Sequence, residues 1–420
     1  MTNPKANPHR KVVIYDDETD RATEWKKMLE EMGALNINIR VPNHNEIQTE
    51  LDELYHRRRS ADLEEDIFET ESALDDTDIL IVDYDLRHLE GHRDFATGEE
   101  IAYSARLFSK VKLIIVVNHP DIGLNNFDLT FQRDANLKGD FYIGEHQIDN
   151  PTLWTQSDDF DGYHPWGWPI LTEEIDLFDS CLQSIKEHLD EPFLTYFGFD
   201  RENCLPSSEM MSYLGISNTA TTFKQIIEHG KPTPYARPKD KVALQNDDER
   251  LCRVLTAVLR KWLRSWVLTP QSVLADAPHI ALSMPWSLND YTNPDCWYTL
   301  PFKSTSMATE VLNSFHDVVV QNRFERNEWI GRPVFFKEAA RISLEEQSGL
   351  LDSFEFSKLP DLQFAEDLSR FVLTEDSIEY DITIAGEAQV RAVSDAATIQ
   401  INNQSFHPNE VIYVPQSLMV

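Results

Sequence analysis

The sequence predicts an α/β chain: a doubly wound parallel five-stranded sheet of order 2-1-3-4-5, followed by an α+β region. Three observations predict it. Strand-length β-branched runs alternate with helically spaced apolar residues through the first half of the chain. The run Asp78-Ile-Leu-Ile-Val-Asp83 is apolar throughout its middle, as a strand covered on both faces should be. Acidic residues also close the first and third runs, at the strand ends where such sheets hold their ligands.

Residues 11–15 are the first strand, ending in Asp16-Asp17. Trp25, Met28, Leu29 and Met32 then recur at helical spacing up to Gly33, a C-cap candidate. Residues 37–41 are the second strand. A polar helix is predicted over 44–72, with Ile47, Leu51 and Leu54 on one face. Residues 78–83 are the third strand, 98–108 a helix, 112–117 a fourth buried strand and 141–143 a short fifth. Ile175, Phe178, Leu182, Ile185 and Leu189 mark an amphipathic last helix. Two insertions interrupt the repeat, at about 120–138 and about 150–170. The second contains WTQSDDFDGYHPWGWP, whose prolines and glycines exclude a helix interior. It reads as a packed loop carrying Trp154, Trp166 and Trp168.

The predicted division is a tail over 1–10, the sheet domain over 11–190 and an α+β output or interaction domain over 191–420. In the last part, residues 248–266 form a strong helix. Leu251, Leu255, Val258, Leu259, Trp262 and Trp266 share one face; Arg250, Arg253, Arg260, Lys261 and Arg264 cover much of the rest. The expectation is a solvated basic face, with docking on an acidic partner or on the first half as the alternative. Residues 275–302 read as loops and short strands and 307–320 as a helix. Short strands are expected at 371–373, 378–384, 389–393, 398–401 and 411–414. His279, Asp290, Asp295 and Cys296 are the chemistry-bearing residues there, with Cys296 expected to be a buried structural thiol. Arg323, Arg326 and Arg332 with Glu325, Glu328 and Glu338 read as surface pairs of small energetic weight. No helix-turn-helix, P-loop, GxSxG, GGDEF-like or HD-type motif is present.

Composition narrows the function. The 420 residues include 38 Lys+Arg against 72 Asp+Glu, a net charge of −34. Residues 1–190 carry 18 basic and 41 acidic groups, a net −23. Such a surface repels phosphates and anionic lipid, so broad nucleic-acid or membrane binding is not expected. The four cysteines, Cys181, Cys204, Cys252 and Cys296, are dispersed without CxxC spacing, which suits a reducing cytosol. The N-terminal stretch lacks an apolar h-region, and the apolar runs are strand-length. A cytoplasmic location is the expectation.

Asp16 and Asp17 follow the first strand and Asp83 ends the third. In a 2-1-3-4-5 sheet those strands are neighbours, so the three carboxylates converge at one sheet edge. Converging carboxylates repel unless a cation neutralises them, and Mg²⁺ is the natural candidate. A metal there would leave one Asp oxygen free to attack phosphorus.

KVVIYDDETDRATEWKKMLEEMG closely resembles the opening of response-regulator receiver domains, which have a CheY-like, flavodoxin-like fold. DILIVDYDL followed by TGEEIAYSAR resembles their third strand and following helix. The resemblance covers roughly residues 11–190. It implies that Asp16 and Asp17 bind Mg²⁺, that Asp83 accepts a phosphoryl group from a histidine kinase or other ATPase-type partner, and that Asp85 lies near the metal. Two positions depart from the family. Asn118 stands where a Ser or Thr usually ends the fourth strand and contacts the phosphoryl oxygens, with His119 next. Glu145 stands where a Lys usually ends the fifth strand, with His146 beside it, while Lys138 comes too early. A carboxylate there would repel the phosphoryl group. His119, His146 and His164 near this edge are expected to be structural.

The resemblance implies an atypical response-regulator-like signalling protein whose receiver controls the second half; enzymatic activity is not the expectation, and a homodimer is one assembly open to it. One alternative is a phosphorylation-independent scaffold or protein-binding subunit. Another is a metal-dependent phosphoesterase, since VDYD is a strand-end DxD like that of Toprim-type enzymes, with Asp16 or Glu18 as the first acid. Against that stands the missing Glu-Gly turn of that family and the lack of a basic track for nucleic acid.

Overall fold

Residues 10–15, 37–40, 79–83 and 113–118 carry runs or pairs of Val, Ile and Leu, residues 141–144 are Phe-Tyr-Ile-Gly, and together they assemble into one parallel sheet. The computed structural model describes residues 9–32, 36–63, 72–86, 97–118, 138–145, 148–155, 169–228, 233, 235–245, 247–282, 321–337, 361–366, 370–384 and 387–394. Its strands are β1 (Arg10–Tyr15), β2 (Ile37–Arg40), β3 (Ile79–Asp83), β4 (Leu113–Asn118) and β5 (Phe141–Gly144), in order β2-β1-β3-β4-β5. This is the fold class and strand order the sequence predicts, and it is a flavodoxin-like arrangement. The register sets Tyr15 beside Val82 and Asp83 beside Val117. Asp16 therefore emerges next to Asp83.

Alternation along the strands divides the core in two. Val12, Ile14, Ile79, Ile81, Ile115 and Ile143 face α1 (Thr19–Glu31) and the first half of α5 (Leu171–His188). Val13, Tyr15, Leu80, Val82, Ile114 and Val116 face α2 (His44–Asp62) and α3 (Gly98–Phe108). A capping box opens α2: Asn43 accepts from the Glu46 amide, and the Glu46 side chain accepts from the Asn43 amide. This helix stops at Asp62 rather than running to 72, and a 3-10 turn over Ala73–Asp76 precedes β3. A short helix, α4 (Pro151–Trp154), puts Trp154 at a helix end with its indole donating to Ile148 O at 2.8 Å. The insertion over 120–137 and residues 156–168, with Trp166 and Trp168, lie outside the described residues.

The second group of elements begins with α6 (Phe193–Tyr196), α7 (Ser208–Tyr213), α8 (Phe223–Glu228) and α9 (Pro238–Gln245). The predicted strong helix is α10 (Asp248–Trp262), and it continues as a π-helical turn over Leu263–Leu268. Leu251, Leu255, Leu259 and Trp262 of α10 join the same apolar cluster as the α2/α3 side of the sheet and as Cys181 and Ile185 of α5.

Two expectations for charged residues are corrected. The basic face of α10 is buried, not solvated: Arg250, Arg253 and Arg260 are each under a tenth exposed. Arg260 of α10 and Arg264 of the following π-helical turn both bond Glu174 of α5, at 2.6 and 2.8 Å, so these two cations dock on the first half of the chain. Arg332 is not a weak surface pair either, because it bonds Asp276, which is 1% exposed, at 2.7 Å. Glu338 lies outside the described residues.

Where loops and short strands were expected from residue 275, the chain forms β6 (Leu274–Asp276) and then a helix, α11 (Ala277–Leu282). Strand β6 pairs antiparallel with β7 (Val334–Phe336). A four-stranded mixed sheet follows, β8 (Leu362–Ala365), β9 (Arg370–Leu373), β10 (Ser377–Ile384) and β11 (Glu387–Ser394), in order β10-β11-β8-β9. The strands expected at 398–401 and 411–414 and the helix at 307–320 lie outside the described residues. Among the described residues no helix is long and apolar enough to cross a membrane.

Candidate functional site

The site forms where β1 and β3 end side by side. Asp16, Asp17 and Asp83 are 2%, 4% and 2% exposed, and one ligand oxygen from each lies within 4.8 Å of the others. Asp16 Oδ1 accepts from the Glu18 amide at 2.7 Å, a local turn that starts α1. The Asp17 carbonyl meets His44 Nε2 at 2.6 Å, joining the same loop to the start of α2. Behind the loop, the Tyr15 hydroxyl donates to Glu50 of α2.

A cation already sits among these carboxylates. Arg21, on the first turn of α1, folds back over the loop. Its Nε donates to Asp16 Oδ2 at 2.7 Å and its Nη2 to Asp16 Oδ1 at 2.8 Å, a two-pronged pair. The same Nη2 reaches Asp83 Oδ2 at 2.8 Å and lies 3.7 Å from Asp17 Oδ1. The Asp83 carboxyl stands at about 7, raised chiefly by burial and also by Asp16 and Asp17, with Arg21 pulling against them. Hydrogen bonding to Asp16 holds Arg21 the more firmly protonated.

Arg21 is braced from below. Its guanidinium lies over the Trp25 ring, 5.7 Å from the centroid. The Trp25 indole donates to Glu145 Oε1 at 2.9 Å. Glu145 directly follows β5, at the place predicted for it, and a line of contacts runs from it through Trp25 and Arg21 to Asp16 and Asp83.

The remaining predicted residues are less central. Asp85 is not part of the three-carboxylate group; it pairs in an isolated antiparallel bridge with Thr97. Asn118 ends β4, one residue beyond the partner of Asp83, and pairs with Gly144. Lys138 lies before β5, with its amide on Glu99 and its ammonium over the Tyr103 ring. His119, His146 and His164 lie outside the described residues.

Arg21 was missed in the sequence. Its signal was the spacing Asp17-x-x-x-Arg21, which on a helix start reads as an ordinary exposed i,i+4 pair. Only the adjacency of β1 and β3 brings Asp83 under the same guanidinium.

Three buried carboxylates are a hard-oxygen donor set that suits Mg²⁺. Their chemistry fits the ion, but Arg21 already holds both Asp16 oxygens and one Asp83 oxygen. A metal bound here would therefore compete with the guanidinium for these oxygens.

A second polar place surrounds His279 of α11, in a cleft of about 330 Å³ that Glu366, Arg391, Lys337 and Gln271 also line. His279 Nε2 lies 3.8 Å from Glu366 Oε1. Burial pushes the imidazole down to about 3 and Arg391 adds to this, so it is neutral near pH 7. Asp290, Asp295 and Cys296 lie outside the described residues.

No family model, curated protein or solved structure matches this chain.

Proposed function

We propose that this chain is a receiver-like regulatory protein that acts by binding a protein partner, without a cycle of aspartyl phosphorylation. One observation carries the reading: the Arg21 guanidinium bridges Asp16 and Asp83 at 2.8 Å each. A nucleophilic carboxylate must present a free oxygen to phosphorus beside a bound metal. Here Arg21, a side chain of the same domain, holds both Asp16 oxygens and one Asp83 oxygen, so it stands where the metal would have to bind. Glu145, where a receiver's Lys is expected, is committed to Trp25. The partner is a signalling protein of the ATPase type, encountered in the cytoplasm. The test is incubation of the full chain with acetyl phosphate and Mg²⁺, followed by intact mass. The expected result is no phosphoryl adduct. An adduct that Asp83→Ala abolishes overturns the proposal.

A second reading is the phosphorelay itself. The approach of Asp16, Asp17 and Asp83 within 4.8 Å favours it. In that reading Asp83 is the acceptor, Mg²⁺ is held by Asp16 and Asp17 with Asp85 nearby, Asn118 contacts the phosphoryl group, and Arg21 supplies the charge of the missing Lys. The same adduct measurement decides between the two.

A further inference from the structure

We infer that Arg21 is the resident cation of the acidic pocket, a built-in plug that a divalent ion must displace in order to bind. The inference deepens the function proposed above and rests on its reading of the pocket as closed. Three features of the geometry carry it. The guanidinium satisfies three carboxylate oxygens at 2.7–2.8 Å, in the planar two-pronged geometry that suits Arg and not Lys. Its side chain is only 17% exposed, so solvent screens these bonds weakly. Its position is also set from outside the pocket, because the Trp25 ring beneath it is anchored to Glu145 on a different strand end. Trp25 and Glu145 are thus positioning residues for Arg21. Glu145 does not meet a phosphoryl group; it helps to hold the cation that takes the metal's place.

The consequence is quantitative. A ligand that binds only the state with Arg21 withdrawn has its affinity reduced by the population of that state. Minor states of this kind are populated at about 0.1–10%, so the apparent affinity falls at least about tenfold.

The experiment is a Mn²⁺ titration of the full chain, followed through the EPR signal of the free ion. Wild type, Arg21→Ala and Arg21→Ala/Asp83→Asn are compared, so that weak sites on the acidic surface cancel. Arg21→Ala is expected to gain one site at least about tenfold tighter than any in the wild type, and the double variant to lose it. Equal binding by wild type and Arg21→Ala overturns the inference. So does a wild-type site of the same affinity as that of Arg21→Ala, shown to be the acidic pocket by its loss in Asp83→Asn, measured alongside. If Arg21→Ala fails to fold, the wild type still decides. Its Arg21 Nε–H resonance, assigned by its loss in Arg21→Lys, is expected to exchange slowly and to stay unmoved by equimolar Mg²⁺; a resonance lost on that addition overturns the inference. Tight Mn²⁺ binding without phosphate uptake would sink the plug and leave the proposed function standing. A phosphoryl adduct at Asp83 together with tightened Mn²⁺ binding in Arg21→Ala would do the reverse.

Discussion

The indole nitrogen of Trp25 donates to Glu145 Oε1 at 2.9 Å, which fixes the residue that follows β5 against the middle of α1. Trp25 is fully buried and Glu145 partly exposed, so removing the carboxylate takes a charged partner from the indole N–H and leaves it only water entering from the Glu145 side. Glu145→Ala should therefore cost about 1–3 kcal/mol. It should also loosen the ring under Arg21 and raise Mn²⁺ affinity above that of the wild type, to a smaller extent than Arg21→Ala. Urea unfolding and the same EPR titration check both. Unchanged stability with unchanged affinity would show that Glu145 has no part in bracing Arg21.

Glu174 joins α5 to α10. Arg260 and Arg264 converge on it, and Arg260 Nη1 also donates to the Glu174 carbonyl at 3.2 Å. Burial alone would push the Glu174 carboxyl up; the two guanidiniums more than reverse this and hold it below the usual range. Truncating one member of a buried charge group leaves the others uncompensated, so Glu174→Ala should cost about 3–5 kcal/mol. Because the folded-state value is depressed, this stabilisation is full above the ordinary carboxylate range and is lost as pH falls through the depressed value. The measurement is chemical denaturation of wild type and variant at neutral and acid pH; the gap between them should narrow in acid.

The sheet and its acidic edge were legible because the signals are local. The ILIV run of β3 is buried on both faces and ends on Asp83, while β1 is buried except at Lys11 and is followed directly by Asp16. What was not legible depended on partners distant in sequence. Arg21 reads as a helix-surface residue until Asp83, 62 residues later, is beneath it. The α10 arginines read as solvated because Glu174 is 86 and 90 residues away. The Pro, Trp and Tyr density of residues 275–302 points to loops and short strands and hides α11. The helix covers Ala277–Leu282, and Pro278 stands near its start, where a proline is tolerated.

Gly98 opens α3 against the third strand. A Cβ there would lie 2.4 Å from the Asp83 carbonyl oxygen, closer than real contacts allow, and that oxygen is backbone with nowhere to swing. At an unobstructed helical site Gly→Ala stabilises by about 0.4–1 kcal/mol. Here the sign should reverse, with Gly98→Ala losing about 1–3 kcal/mol through overpacking. The shift should also disturb the Arg21–Asp83 bond, read as a move of the Arg21 Nε–H resonance. A stabilised Gly98→Ala would show that α3 can retreat from β3 freely.

His279 gives a pH signature separate from the acidic pocket. It faces Glu366 and Arg391 from the mixed sheet, Asp276 from β6, and Arg332 and Lys337 from either side of β7. With the folded-state value near 3 and the ordinary value at 6.5, the unfolded chain binds the proton more readily between them. Stability is therefore complete above about pH 6.5 and falls as the solution is acidified. The slope set by the unfolded imidazole amounts to about 2 kcal/mol between about pH 7 and about pH 5. His279→Gln removes the titrating group and keeps a polar side chain. Its stability, measured by urea unfolding at both pH values, should fall by about 2 kcal/mol less than that of the wild type over that range. Parallel losses in the two proteins would show that His279 gains its proton without opening the cleft.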